Sequence, residues 1–382
     1  MKRFIPILLL YYSFVSCSGT KESMDLDKNP GKEYISYSIS MPQYVFGFIG
    51  QNRYSYCPSV VSQGDGSSHI FFCGTPEADN FIDNVYHIVE KEDGNVSKEI
   101  SVLQPSLDWD SMHTCDPSVI EGDFSMSGKK YKYAMFFLSN PKGFYYNEIG
   151  VAFSNDLSSG TWVKYPKQIV EKTWSGNEDQ IIGGGSKSWG VGQPSAVSLD
   201  KKGKVLLSYT KGDIGGTCLM WRELDMSNME NFTAGVPRTM VSKGMYQIDG
   251  KTNDIGSNAD IAVNIEDDKI VIVRPVRPFS NVYPEFIAST LEVLYMDFSD
   301  FINLTGEWKS LIRINPEKTS FPRNHNAGIK RDSFGHISNW ETPEIYFTVS
   351  KEAPDVEPSF GKHAEWTYHI YKTALQKKVF TK

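Results

Sequence analysis

Along residues 34–50 the chain alternates: Ile35, Tyr37, Ile39 and Met41 are apolar, with Ser36, Ser38 and Ser40 between them. That period of two is the pattern of a half-buried strand. The apolar run Tyr44 to Ile49 follows, and from there short apolar runs recur behind polar turns. His69–Phe72 follows Asp65-Gly66, Tyr133–Leu138 follows Gly128, Val205–Tyr209 follows Lys202-Gly203, Ile270–Val273 follows Asp267-Asp268, and Ile345–Val349 comes after a longer return. Each run is preceded by a stretch of related shape. Cys57-Pro58-Ser59-Val60-Val61, Asp116-Pro117-Ser118-Val119-Ile120 and Gln193-Pro194-Ser195-Ala196-Val197 share a Pro-Ser-aliphatic core. Ala259-Asp260-Ile261-Ala262-Val263 and His325-Asn326-Ala327-Gly328-Ile329 keep only a small-then-aliphatic shape. Anchored on Cys57, Asp116, Gln193, Ala259 and His325, the spacings are 59, 77, 66 and 66.

Hairpins repeated five times at this period predict an all-β chain folded as a five-bladed β-propeller. The N-terminal strand is expected to complete the last blade and remove an exposed edge. The pattern puts the first blade at about 51–105, with Asn84–Glu90 as an outer strand, and ends the second near 170 with Trp162 packed back on the sheet. The fourth runs from roughly 235 to 300, the fifth from Trp308 to about Ser350, and Trp366–Tyr371 supplies one closing strand. A Pro after each of the first three anchors predicts extended backbone at the anchor.

Composition agrees with β structure: 20 Tyr, 22 Phe and 8 Trp in 382 residues, and no long Ala/Leu/Glu/Lys stretch. A net charge of −7 argues against a nucleic-acid surface, which needs clustered Lys and Arg. Lys2-Arg3, the apolar run Phe4 to Val15 and Ser16-Cys17-Ser18-Gly19 form a targeting segment too short to span a bilayer. It resembles a bacterial lipoprotein signal, which implies residues 1–17 as signal peptide, lipid on Cys17, and an exported, outer-membrane lipoprotein. Phe14 stands where Leu is usual, and an ordinary secretory signal is the alternative. Residues 18–33 read as a flexible tether and 34–382 as the propeller. Among Cys57, Cys73, Cys115 and Cys218, a Cys57–Cys115 bridge and four buried thiols are both open. No CxxC or Cys/His spacing indicates a zinc site, so no metal ligands are assigned.

In a propeller the start of every innermost strand faces one central funnel. The repeat therefore brings Cys57, Asp116, Gln193, the Ala259-Asp260 pair and His325 together, a mix of carboxylate, amide and imidazole expected at a functional site. Asp116-Pro117-Ser118-Val119, together with His325 in Asn324-His325-Asn326-Ala327-Gly328, Asp332 and Gly335, resembles elements of glycoside hydrolase family 43. Asn147–Ser154 with Trp162 also resembles that family's second blade. The resemblance implies a five-bladed propeller glycosidase, with Asp116 at the place of an orienting carboxylate. It also implies His325 at a place that often helps hold a central hydrated cation; a calcium ion near His325 stays open, and the cofactor is otherwise unknown.

Two departures stand out. Cys57 occupies the place of the general base, and Gly192-Gln193 precede Pro194 where the acid Glu is found. Neither Cys nor Gln performs the work of paired carboxylates. Asp116, Asp260 and His325 are therefore the catalytic candidates, with Glu178, Asp179 and Asp254 as further carboxylates. Cys57, Gln193, Tyr56, Trp174 and Trp189 are the candidate substrate-binding residues. The expected partner is an oligosaccharide or polysaccharide of plant or algal origin. The alternative is a glycan-binding lipoprotein that uses the same funnel without cutting.

Overall fold

A computed structural model describes residues 33–381 apart from 81, 144–145, 174–188, 214–215, 278–286 and 351–363. Polar turns and apolar alternation build strands throughout. Two N-terminal strands, β1 (Glu33–Ile39) and β2 (Gln43–Phe46), come first. The first blade is β3 (Ser55–Ser62), β4 (Ser68–Gly74), β5 (Asn84–Glu90) and β6 (Ile100–Leu103). The second is β7 (His113–Met126), β8 (Lys129–Asn140), β9 (Glu148–Ser154) and β10 (Val163–Lys164). The third is β11 (Gly190–Ser198), β12 (Lys204–Asp213) and β13 (Gly216–Asp225), edged by β14 (Thr233–Ala234) and β15 (Arg238–Thr239). The fourth is β16 (Asp260–Asn264), β17 (Lys269–Pro275), β18 (Leu291–Asp297) and β19 (Lys309–Ile314). The fifth is β20 (Arg323–Arg331), β21 (Glu344–Ser350) and β22 (His369–Thr381), with β1 and β2 both paired to β22. Ser40 N–H donates to Ala374 O at 2.9 Å, so the N-terminal segment does complete the last blade.

The chain divides into a unit of Ser36–Lys378, which holds the five blades, and a small unit of its two ends, Met1–Ile35 with Val379–Lys382. Of the latter, only residues 33–35 and 379–381 are described, all as strand. Cys17 and the 1–17 signal lie outside the described residues, as does all of the 18–33 tether but Glu33. Among the described residues no helix is long and apolar enough to cross a membrane.

The inner strands meet in a cycle, β3 with β7, β7 with β11, β11 with β16, β16 with β20 and β20 with β3. Alternation buries both faces of each sheet, and each interface between blades has its own apolar core. Phe71, Met135 and Trp162 pack between blades one and two, Phe136, Val191 and Leu207 between two and three, and Leu206, Ile272 and Trp308 between three and four. Val271, Ile312 and Phe347 fill the fourth interface, and Phe72, Tyr86 and Tyr346 the fifth. Trp162 thus packs edge-on against Phe71 of the neighbouring blade, not only on its own sheet. Two expected boundaries shift. Residues 233–239 pair with β13 and close blade three, and Lys309–Ile314 pairs with β18 and closes blade four. Outer strands are too short to reveal their sheet by pattern.

The end of the axis away from the strand starts is closed by the chain following β20. Ser333 O accepts from Glu121 N–H at 2.5 Å, Phe334 O from Ser198 N–H at 2.8 Å, and Ile337 N–H donates to Val263 O at 3.0 Å. Asp332 Oδ1 fixes this crossing by accepting from Phe334 and His336 N–H at 2.9 and 2.7 Å. Asp332 and Gly335 therefore serve a structural crossing that ties the fifth blade to the second, third and fourth.

Candidate functional site

Five residues, one per blade, occupy left-handed backbone where the inner strands begin: Cys57 (φ 52°), Asp116 (47°), Gln193 (53°), Asn258 (47°) and Asn326 (43°). In four blades the cause is a bulge. Cys57-Pro58, Asp116-Pro117, Gln193-Pro194 and Asn326-Ala327 are each inserted into one strand of an otherwise regular pair. The extended conformation expected before Pro is therefore replaced by a left-handed one. For a non-glycine residue that conformation costs roughly 1–2 kcal/mol, and five such residues around one axis mark a place where geometry is kept against strain. Their side chains are all half-buried.

The true register corrects two anchors by one residue each. Asn258 replaces Ala259 and Asn326 replaces His325, giving spacings of 59, 77, 65 and 68. The signal was present, because Asn is among the few side chains that tolerate this backbone region. Both Asn residues also precede Ala, the small residue at the Pro position.

Two residues further along each strand lies a second layer. Ser59 Oγ accepts from Val119 N–H at 3.2 Å, Ser118 Oγ from Ala196 N–H at 2.9 Å, Ser195 Oγ from Ile261 N–H at 2.9 Å, and Asp260 Oδ2 from Ile329 N–H at 2.7 Å. Each clasps its blade to the next. The fifth place is Gly328, where a Cβ would stand 2.0 Å from Pro58 O, and there β20 pairs directly with β3 through Lys330–Val60 and Arg331–Val61. Buried Arg331 fills the axis below, donating to Ser118 Oγ at 3.0 Å and to Ile261 O, and standing 3.4 Å from Asp260 Oδ1. Asp260 also accepts from Ser195 Oγ at 2.5 Å. Both of its oxygens are engaged in the clasp.

His325 turns away from the ring. It is buried, with Nδ1 at 2.6 Å from Asn326 Oδ1, Nε2 at 3.2 Å from Ser350 Oγ, and an edge contact to Tyr368. Burial pulls its pKa down to about 4, so it is neutral, and it orients Asn326, whose Nδ2 donates to Cys57 Sγ at 2.9 Å. With both ring nitrogens spent, the residues around His325 do not fit a calcium ion, which takes oxygen ligands.

Asp116 stands where the funnel narrows to a cavity of about 30 Å³ lined by Cys57, Asp116, Gln193, Asn258 and Asp260. Burial lifts its carboxyl to about 6 and the charge of Asp83 adds to that, while the Cys57 thiol, His113 and Gln193 N–H act in the opposite direction. Burial and Asp116 together push the Cys57 thiol well up, so it stays protonated and donates to Asp116. Behind the ring, His113 Nδ1 lies 3.3 Å from Asp83 Oδ2, which also accepts from Tyr56 OH at 3.2 Å. Burial would lower the pKa of His113, but Asp83 outweighs it and holds the imidazole above its usual range. Sequence reasoning missed Asp83 and His113, although His113 opens the same strand as Asp116. Gln193 Oε1 is buried and has no hydrogen-bond partner among the described residues.

A disulfide joins Cys73 to Cys115, not Cys57 to Cys115, and Cys57 and Cys218 are free. Cys115 faces its partner on β4 because it precedes the bulge, whereas Cys57 lies in one. Tyr56 packs between Tyr54 and Tyr368. Trp189 lies over Gly212, where a Cβ would come within 2.1 Å of the indole nitrogen. Asp254 is buried in an ion pair with Arg274 at 2.6 Å. Trp174, Glu178 and Asp179 lie outside the described residues. A larger recess of about 720 Å³ lies at the opposite end of the axis. Of the charges that line it, Lys330 pairs with Glu344 at 3.2 Å and Asp332 holds the crossing.

The backbone is similar to three solved glycoside hydrolases. One is a family 117 enzyme from the marine bacterium Zobellia galactanivorans, at 10% identity over 90% of each chain and a TM-score of 0.53. Another is an α-L-arabinofuranosidase from Podospora anserina solved with cellotriose, at 11% identity over 89% of this chain and 96% of that one, TM-score 0.54. The third is a thermostable family-43 enzyme, at 10% identity over 90% and 96%, TM-score 0.51. At these identities the likeness is one of fold, the five-bladed β-propeller. No family model and no curated protein matches the chain.

Proposed function

We propose that this protein is an exported, carbohydrate-active glycoside hydrolase that draws a plant or algal oligosaccharide onto the axial ring. Asp116 is the proton donor to the glycosidic oxygen. One observation carries the reading: a carboxyl whose pKa burial raises to about 6 is held in strained backbone on the funnel floor. The unpartnered Gln193 Oε1 supports it, since a buried acceptor is satisfied by a donor such as a sugar hydroxyl. The charge of Asp83 adds to the raised proton affinity of Asp116, and its partner His113 offsets part of that rise. Fold likeness to glycoside hydrolases supports the substrate class by analogy.

A panel of purified oligosaccharides, assayed for released reducing ends, tests this. Cleavage of at least one that disappears in Asp116→Asn supports it, and unchanged rates in that variant contradict it.

A second reading is favoured by the ring's holding a single carboxylate, with no second one to activate water. In that reading the funnel binds glycan without cutting. Calorimetry showing saturable binding with no turnover over days selects it.

Anchoring through a lipid on Cys17, at the outer membrane and with 18–33 as tether, completes the proposal and rests on the signal pattern. Metabolic labelling with an alkyne fatty acid should mark the intact chain and not Cys17→Ser.

A further inference from the structure

Cys57, Cys73, Cys115 and Asp116 come together although nothing in their linear spacing suggests it. The bulges of blades one and two supply Cys57 and Asp116, β4 supplies Cys73, and Cys115 precedes Asp116. The ligating atoms of Cys57, Cys73 and Asp116 all lie within 4.8 Å of one another. Asp116 Oδ1 is 3.4 Å from Cys115 Sγ and 3.8 Å from Cys73 Sγ, and the Cys57 thiol donates to the same carboxyl. A tetrahedral zinc ion with Zn–S of about 2.3 Å and Zn–O of about 2.1 Å has ligand-to-ligand edges of roughly 3.5–3.8 Å. The carboxylate-to-sulfur edges to Cys115 and Cys73 are close to that length. A closed three-sulfur, one-oxygen site requires that the Cys73–Cys115 bond be broken and that Cys115 Sγ, which stands outside the close group of Cys57, Cys73 and Asp116, move in toward Cys57.

The surroundings suit thiolates as well. Asn326 Nδ2 donates to Cys57 Sγ at 2.9 Å, and Asp116 N–H points at Cys73 Sγ at 2.8 Å. Such N–H groups are the outer-shell partners that hold metal-bound sulfur in place. Soft sulfur ligands select thiophilic cations over calcium or magnesium.

We propose that, once the Cys73–Cys115 disulfide is reduced, Cys57, Cys73, Cys115 and Asp116 bind one thiophilic divalent cation, zinc by its ligand preference. The inference does not rest on the glycosidase reading. A dithiol reductant delivers two electrons and two protons to the disulfide and is itself oxidised to a disulfide. The three cysteine thiols then release their protons to solvent as the cation binds, leaving three thiolates and the Asp116 carboxylate around it. The two states exclude each other, because sulfurs bonded to one another offer no thiolate. An oxidising compartment keeps the staple, and a reducing one exchanges it for the metal.

Cobalt(II) is the probe. The full chain is reduced with dithiothreitol under anaerobic conditions, freed of reductant and titrated, with circular dichroism following the fold. The expected result is one equivalent of Co²⁺ bound by the reduced, folded protein, with thiolate-to-cobalt charge-transfer and tetrahedral ligand-field bands that zinc abolishes. The oxidised protein should show neither. Cys218→Ser should leave the titration unchanged, and Cys57→Ser, which keeps the disulfide and so folds as before, should weaken binding more than about 100-fold. No cobalt bands in the folded reduced protein, equal binding by Cys57→Ser, or unfolding on reduction before metal is added would each overturn the proposal.

Discussion

Asp116 and Asp260 approach the same axis from neighbouring layers, and their surroundings give them opposite work. Asp116 sits in a bulge, in left-handed backbone, half-buried, with burial raising its proton affinity. Asp260 sits two places further into the repeat, in regular strand, and spends its oxygens on Ser195, Ile329 and Arg331. The upper layer is strained and varied, with a thiol, a carboxyl and three amides. The lower layer is relaxed and repetitive, with three serines, an aspartate and a glycine. The repeat thus separates chemistry from closure by two residues, and the identity of a residue says less than its place in that count.

The comparison breaks most visibly at Asp116. Asp116→Asn should lower sugar release by about 10³-fold, the usual reach of a general acid, while changing stability by less than about 1 kcal/mol. Asp260→Ala should do the reverse. Leaving Arg331 buried without its partner should cost about 3–5 kcal/mol in urea unfolding, and activity per folded molecule should persist.

Acid tests the supports of the ring. The pKa of His325 is about 4 in the folded chain and ordinary, near 6.5, in the unfolded one. The unfolded chain therefore takes the proton first. Stability is full above pH 6.5, falls as the pH drops toward 4, and loses on the order of 3 kcal/mol in all. Urea midpoints across that range should show the fall, and His325→Gln should flatten it. Ser59→Ala removes one clasp to Val119 and should cost about 1 kcal/mol. Gln193→Gly sharpens the contrast at the small end. It relieves left-handed strain, so stability should rise by up to about 1 kcal/mol, while glycan binding weakens. A loss of stability there would mean the ring is not strained.

Much of this was legible in the chain. The Pro-Ser-aliphatic cores of the first three repeats placed Cys57, Asp116 and Gln193 on the ring, because the Pro and Ser each have a fixed structural job there. Blades four and five lack that pair. Matching them by apolar shape alone left Ala259 and His325 one place from Asn258 and Asn326, and in a strand one place turns a side chain to the other face. The bulges themselves were hidden, since left-handed backbone at Cys57, Asp116 or Gln193 has no glycine to announce it. Phe72, Phe137, Tyr209 and Phe347, each facing a bulge, were a usable signal that only the pairing register made plain. Asp83, His113 and the Cys73–Cys115 bridge join segments through the contact of two blades, which no local pattern encodes.

The claim on which the rest depends is that the ring of five left-handed residues is where a glycan is held. A crystal structure of Asp116→Asn grown with the oligosaccharide that the unaltered protein cleaves or binds tests it most directly. The account expects a sugar seated on the ring, with a hydroxyl donating to Gln193 Oε1 and a glycosidic oxygen within hydrogen-bonding reach of position 116. A sugar lodged in the recess at the far end of the axis, with the ring untouched, would contradict it.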